Sequence, residues 1–328
     1  MKSDAEHGIH VMESFEFESG QILKNVNVEY VTSGFPKHDE EGNIINAIIY
    51  FPTLKGGHSI LNNFHNIIYN SQKDEYFFIK VTSLGTPDSC SPSSTGLKYE
   101  FPSYTFRDRV NFKKQFLDEK FGNIKKILGL IGEGTGGFDV YTWASEYPDD
   151  MEFIIILNST HSNYGHRYVM LKAVESMIDS CDDFYNTEEY SVSVSKLIVA
   201  IARIMFMTIH SKRVFDELSN DEIDVLLEDY VDEILFMDIY DFKAKNDCLL
   251  AYDAYDKLSN INAKALIIGI EDYLSFNTSK DILPLRDIIK DSRIITVEGE
   301  ESFYQESDYS EVGSEIVSFL KQFKTNDA

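Results

Sequence analysis

The chain has 328 residues, of which 43% are hydrophobic, and its formal net charge is −25. This length fits one α/β domain with an insertion, or two small domains, and we expect a single compact unit. So acidic a chain is a poor partner for nucleic acid or an anionic membrane, because both are bound through Lys and Arg.

The cysteine content bears on the cellular compartment. Cys90, Cys181 and Cys248 are odd in number and lack framework spacing, and the first twelve residues contain no charged-then-apolar leader. This usage is typical of a reducing compartment, so we expect a cytoplasmic protein. No run reaches the roughly 18 apolar residues of a membrane span, and no spacing matches a metal site. We therefore expect no membrane partner, metal or cofactor.

Strand and helix patterns alternate along the first half of the chain. Apolar and polar residues alternate at 22–32, which predicts a strand with one wet face. Nearly unbroken apolar runs predict buried parallel strands at 44–51, 76–81 and 153–157. Helical spacing occurs at 59–69 and again from Thr105 to Leu117.

The second half begins with helical periods alone. They occur at 169–178, 193–218, 221–236 and 241–258. We interpret residues 166–255 as a helical lid inserted into a core formed by 1–165 and 256–328.

After this helical segment, strand and helix patterns alternate again. The predicted elements are a strand at 263–270, a helix at 280–289, a strand at 293–297 and a helix at 308–323. The full order predicts the α/β class, with a doubly wound, mostly parallel sheet of about eight strands.

One stretch has the pattern of a nucleophile elbow. The apolar run at 125–131 ends in a glycine cluster and gives way to a helical pattern, which predicts strand, tight turn and helix. The frame Gly132-Glu133-Gly134-Thr135-Gly136 keeps both small flanks of a G-x-S-x-G elbow. Its central position is Gly134, which carries no atom that can attack a substrate.

Several short segments occur in one collinear order from about residue 15 to the C terminus. Besides the elbow they are FEFESG at 15–20, FPTLKG at 51–56, SCSPS at 89–93, FP at 101–102, WA at 143–144, YPD at 147–149, ARI at 202–204 and IGI at 268–270. In this order and spacing they resemble the homoserine O-acetyltransferase branch of the α/β-hydrolase fold. The resemblance implies an acyltransferase family, a helical lid, and a homodimer formed through that lid.

The resemblance also gives the positions of a catalytic triad, and two of the three are changed. The family's serine falls on Gly134, its acid on Asp272, and its histidine on Glu300 within residues 299–303. None of the eight histidines lies beyond His210, whereas the fold's chain order is nucleophile, acid, histidine. The family's substrate-contacting arginine falls at about His210, with Arg213 close enough in sequence to replace it.

An oxyanion hole is made of backbone and does not depend on the lost side chains. Its amides are those of Thr135 and, by resemblance, Leu54, and a small acyl or carboxylate ligand is the expected occupant. The alternative is a pocket filled by bulky side chains such as Phe138 or Tyr273.

Two hypotheses follow. The first is a catalytically inactive relative that binds a small ligand or a protein partner. The second is an active acyltransferase or ester hydrolase with a relocated nucleophile and base. If Thr135 were the nucleophile, Glu133 would occupy a flank that must be small. Ser275 and Ser302 are ordinary loop serines. Asp272 facing Glu300 would supply acid/base chemistry only. Loss of both nucleophile and base favours the first hypothesis.

Overall fold

A computed structural model describes residues 5–51, 72, 74–185, 191–208, 212–235, 237–271, 278–297 and 309–323. Its centre is an eight-stranded sheet. The strands are Glu6–Glu16 (β1), Ile22–Gly34 (β2), Ala47–Phe51 (β3), Phe77–Val81 (β4), Ile127–Glu133 (β5), Met151–Leu157 (β6), Lys264–Ile270 (β7) and Ser292–Val297 (β8). Their order across the sheet is β1-β2-β4-β3-β5-β6-β7-β8.

Helices cover the sheet and fill the connection between β6 and β7. They are Pro92–Thr95 (α1), Phe106–Lys120 (α2), Thr135–Glu146 (α3), Gly165–Asp179 (α4), Val192–Phe206 (α5), Lys212–Glu217 (α6), Asn220–Ile234 (α7), Ile239–Leu250 (α8), Leu285–Ile288 (α9) and Tyr309–Leu320 (α10). Within the described ranges no helix is both long and apolar enough to cross a bilayer.

Strand pairing confirms the predicted sheet. The six strands from β3 to β8 pair in parallel, whereas β1 and β2 form an antiparallel hairpin joined to β4. All seven residues of β5 are buried, as expected for a strand covered on both faces. The carboxyl ends of β3, β5, β6 and β7 therefore share one edge of the sheet, where ligand sites of such folds lie.

Three apolar clusters hold these layers together. The largest packs α2 and α3 on one face of the sheet, and a second packs α10 on the other face. The third lies among α4, α5, α7 and α8, between β6 and β7 in the chain. The helical segment thus has apolar contacts of its own in addition to its contacts with the sheet.

The N-terminal strand was not predicted. β1 pairs with β2 from Glu6 opposite Thr32 to Glu16 opposite Ile22. Its sequence alternates only weakly because it is an edge strand with mostly exposed polar side chains. Its ladder of hydrogen bonds to β2, rather than an apolar run, defines the strand.

Three predicted helices are shorter in the structure, each for a local reason. The helix predicted at 193–218 is divided into α5 and α6, and the Thr208 hydroxyl donates to the Met205 carbonyl after α5 ends. The helix predicted at 241–258 ends at Leu250, and an Asx-turn follows in which the Asp253 carboxylate accepts the Tyr255 amide.

The helix predicted at 280–289 is instead a π-helical turn, Thr278–Ile282, followed by the single turn of α9. Pro284 lies between them and lacks the amide that a continuous helix needs there. The helix predicted at 59–69 lies outside the described residues.

Candidate functional site

The turn between β5 and α3 has the backbone geometry of an elbow. Gly134 lies at φ 54° and ψ −119°, a conformation that residues with a side chain rarely adopt. Its amide donates to the Leu157 carbonyl at 3.0 Å, and its carbonyl accepts hydrogen bonds from the Ser159 hydroxyl at 2.6 Å and the Gly137 amide at 3.0 Å. We call Gly134 and the first turn of α3 the elbow site.

At the elbow site, the backbones of β5 and α3 approach each other closely beside Gly132. A Cβ atom at Gly132 would lie 2.5 Å from the Gly136 carbonyl oxygen and 2.7 Å from Val140. Only glycine permits β5 and α3 to come this close, which is why the glycine spacing in the sequence identified the turn.

The N-terminus of α3 is directed to the carboxyl edge of the sheet by this turn. Thr135 is the first helical residue, and Gly134 caps the helix without a side-chain hydrogen bond. The first amides of a helix have no intrahelical acceptor and carry a partial positive charge. The elbow site therefore presents donors suited to an anionic oxygen.

Glu133 is a buried carboxyl directly before the turn. Glu133 is 6% exposed, and the Tyr50 hydroxyl donates to its Oε2 atom at 3.4 Å. Burial raises the pKa of Glu133 to about 7, although the Tyr50 hydrogen bond opposes the shift. Tyr50 belongs to the apolar cluster under α10, so Glu133 lies on the sheet face opposite α3.

A buried ion pair fixes α3 to α2. Arg109 donates to both carboxylate oxygens of Asp139, through Nε at 2.9 Å and Nη2 at 2.6 Å. Lys113 Nζ lies 3.5 Å from Asp139 Oδ1, and burial lowers the pKa of Lys113 to about 7. Burial alone would raise the pKa of Asp139, but Arg109 and Lys113 hold it below its usual value.

The chain leaves β6 through two polar residues beside the elbow. Ser159 donates to the Gly134 carbonyl, as described above. Asn158 is 4% exposed and lies at φ 43°, and its side-chain oxygen Oδ1 has no hydrogen-bond partner among the described residues.

A second buried ion pair joins the inserted helices to the core. Arg167, in the first turn of α4, donates to both oxygens of Asp281 at 3.2 and 3.1 Å. The Thr160 hydroxyl donates to Asp281 Oδ1 at 2.7 Å. Neighbouring His161 shares a 3.0 Å hydrogen bond with Ser162, and burial lowers the pKa of its imidazole.

The structure brings together only part of the predicted site. Gly134 and Thr135 lie in the turn between β5 and α3, while Arg213 is an exposed residue on α6. Phe138 stacks on Tyr252 with ring centroids 4.3 Å apart. The predicted positions Leu54, His210, Asp272 and Glu300 lie outside the described residues.

Two polar residues at the elbow, Glu133 and Asn158, are not predicted from the sequence. There, Glu133 is only a flank of the elbow, and Asn158 is only the residue after the strand predicted at 153–157. The one available signal was Asn158 itself, since asparagine tolerates a left-handed backbone. Within the described ranges, no group of three or more His, Cys, Asp or Glu residues has metal-binding geometry.

The strand order, the parallel pairing and the glycine elbow together define an α/β-hydrolase. No protein-family model matches the chain. The chain is 33% identical to a probable acyltransferase of Methanothermobacter thermautotrophicus over 312 residues, which are 94% of this chain and 96% of that relative. A homoserine O-acetyltransferase of Deferribacter desulfuricans is 31% identical over 170 residues, covering 44% of this chain and 42% of its own length.

A solved structure shows the same fold. The crystal structure of homoserine O-acetyltransferase from Staphylococcus aureus superposes with a TM-score of 0.79, at 18% identity and 98% coverage of both chains. The chain belongs to the family of the probable acyltransferase of Methanothermobacter thermautotrophicus, within the α/β-hydrolase fold.

The raised pKa of Glu133 predicts a pH-dependent stability. Between its unfolded pKa near 4.3 and about 7, the folded protein holds a proton that the unfolded chain has released. This contribution is fully present below the unfolded pKa and is lost as pH rises through 7. As the pH rises from about 5 to about 8, the free energy of unfolding of Glu133→Gln should therefore increase by about 3 kcal/mol relative to that of wild type.

Urea unfolding at both pH values measures this difference. Glu13→Gln, at an exposed residue of β1, is the matched control and should follow the wild-type pH dependence. Parallel curves for Glu133→Gln and wild type would contradict the assignment.

Proposed function

We propose that this chain binds a small acyl or carboxylate compound at the elbow site without forming a covalent intermediate. The observation that carries the proposal is the conformation of Gly134, which keeps the elbow backbone while lacking a side chain. The turn directs the N-terminus of α3 as an acyl-transfer enzyme would, yet residue 134 itself carries no side-chain oxygen or sulfur that could attack.

Covalent acyl transfer needs a nucleophile and a base that removes its proton. Position 134 supplies no nucleophile, and the family's histidine position is occupied by Glu300 in the sequence. An ionised carboxylate is ordinarily too weak a base for a hydroxyl, because general-base catalysis is best near neutral pKa. We therefore propose that the triad positions Gly134, Asp272 and Glu300 no longer act together.

Anion binding requires less than catalysis does. The Thr135 amide and the partial positive charge at the N-terminus of α3 suit a carboxylate or a polarised carbonyl oxygen. We propose Leu54 as the second amide donor, on the resemblance alone. We propose residues 166–255 as a lid over this ligand, with His210 or Arg213 as a contact from that side.

The second candidate function is acyl transfer or ester hydrolysis with relocated groups. It is favoured by the probable acyltransferase that matches nearly the whole chain. The Thr135 hydroxyl and the Glu133 carboxyl belong to the residues on either side of Gly134 in sequence, and the Glu133 pKa of about 7 would suit a base. Against this, Glu133 lies on the opposite face of the sheet from α3.

We further propose a homodimer formed through the inserted helices. An open groove of about 630 Å³ is lined by Met177, Val192, Val199, Ile204 and Leu235, with Lys196 and Arg203 at its side. Val192 is 73% and Leu235 44% exposed. Arg203 already donates to Glu228 on α7 of its own chain at 2.7 Å, and the acidic surface of α7 from a second copy would complement Lys196. A single monomeric species in sedimentation equilibrium at all concentrations would contradict this.

We propose a cytoplasmic protein, in line with three cysteines that are all free. Its partners are the small ligand and a second copy, and nucleic acid is disfavoured by the net charge of −25.

Ligand binding is tested by deleting one backbone donor. Thr135→Pro removes the Thr135 amide at the first helical position, where proline is well tolerated. Because a hydrogen bond to a charged group contributes about 1.5–3 kcal/mol, butyrate affinity should fall by roughly 10-fold to 100-fold. The measurement is an NMR titration with sodium butyrate, with Thr135→Ala as the control that keeps the amide. Equal butyrate binding by both variants would contradict the proposed site.

Catalytic loss is tested by rebuilding the triad. Gly134→Ser alone should not hydrolyse p-nitrophenyl acetate above the wild-type rate, because its hydroxyl lacks a base. Gly134→Ser with Glu300→His restores nucleophile and histidine around Asp272 and should gain activity. Serine at this φ costs about 1–3 kcal/mol, so circular dichroism must show that each variant is folded. Equal gain in Gly134→Ser alone would reveal a base already in place.

A further inference from the structure

Asn158 has two energetically unfavourable features, one in its backbone and one in its side chain. It is one of three residues other than glycine that lie in the left-handed region within the described ranges, together with Asn25 and Lys98, and only Asn158 is buried. Its side-chain oxygen is also buried and has no hydrogen-bond partner among the described residues. A strained backbone and an unsatisfied polar atom are both unfavourable, and such features cluster at binding sites.

The backbone of Asn158 does not explain these costs. Its amide donates to the Ile268 carbonyl on β7 at 2.7 Å, so the main chain keeps its connection to the sheet. The unsatisfied atom is the side-chain oxygen alone. A purely structural asparagine in this position would be expected to use that oxygen to accept a hydrogen bond from a neighbouring donor.

The position of Asn158 connects it to the elbow site. The residues on both sides of it in sequence bond to Gly134: the Leu157 carbonyl accepts the Gly134 amide, and the Ser159 hydroxyl donates to the Gly134 carbonyl. Asn158 therefore lies at the carboxyl edge of the sheet, beside the N-terminus of α3. The elbow site thus has donors for an anion, and the residue with the unused acceptor lies between two residues that bond to Gly134.

We propose that Asn158 is a specificity-determining contact of the elbow site, whose side-chain oxygen accepts a hydrogen bond from a hydroxyl group of the bound carboxylate. The class of ligand is a small hydroxycarboxylate, bound through its carboxylate at the α3 amides and through its hydroxyl at Asn158. This inference rests on the proposed function, since it adds a second contact to the same anion site.

The energetic consequence is selectivity between matched ligands. A hydroxyl that reaches Asn158 satisfies a buried acceptor, and a ligand lacking it leaves that acceptor unpaired. A net hydrogen bond of this kind corresponds to about a tenfold difference in affinity. The site should therefore prefer one hydroxycarboxylate over the plain carboxylate of the same length.

The experiment compares acetate with glycolate, propionate with β-hydroxypropionate, and butyrate with γ-hydroxybutyrate, by NMR titration of the full chain. Wild type should bind the hydroxylated member of at least one pair about tenfold more tightly. Asn158→Gly should lose this preference while still binding the plain carboxylate. Asn25→Gly is the matched control, because it removes an exposed asparagine at φ 53° far from the elbow in the sheet, and it should keep the preference.

Thermal unfolding without ligand separates a binding role from a structural one. Glycine adopts φ 43° without strain, and its substitution removes the unsatisfied oxygen. The Tm of Asn158→Gly should therefore be equal to or above that of wild type. A Tm several degrees below that of Asn25→Gly would assign Asn158 a structural role and overturn the inference.

The titrations also distinguish failure of this inference from failure of the proposed function. If wild type binds neither member of any pair, the proposed carboxylate site is wrong and the role of Asn158 falls with it. If wild type binds both members equally, or if Asn158→Gly keeps the preference, only the role of Asn158 is wrong.

Discussion

The left-handed turn at Gly134 is the constraint on which the rest of the site depends. It reverses the chain from β5 into α3 within one residue, and the approach of Gly132 to Gly136 leaves no room for a Cβ atom. The Leu157 carbonyl, at the end of β6, accepts the Gly134 amide, and the Ser159 hydroxyl donates to the Gly134 carbonyl, so both residues hold the turn. All of these contacts are made by backbone atoms or by side chains other than that of residue 134, so the geometry of the turn does not require a side chain at this position.

Buried ion pairs keep the surroundings of the turn rigid. Arg109 and Asp139 join α2 to α3, and Arg167 and Asp281 join α4 to the segment after β7. Removing one partner of such a pair leaves an uncompensated buried charge, which is strongly destabilising. In a chain with a net charge of −25, the helix end offers only short-range attraction to an anion, since screening limits charge effects to about 8 Å at physiological salt.

The sequence was sufficient for the sheet and for the elbow, because each has a local signal. Buried strands appear as apolar runs, and the tight turn appears as glycine spacing. The edge strand β1 was missed because its pairing partner, rather than its own pattern, defines it. Glu133 and Asn158 could not be recognised, because a raised pKa and an unpaired oxygen depend on neighbours distant in sequence.

The central claim is that the elbow binds its ligand without covalent chemistry. Intact-protein mass spectrometry after incubation with acetyl-CoA and with p-nitrophenyl acetate tests it most directly, provided that the sample is quenched before any acyl group can be lost. We predict the unmodified mass for wild type and an added acetyl group for the Gly134→Ser, Glu300→His variant. An acetyl group on wild type, mapped to Thr135 or another residue of the elbow, would contradict the claim.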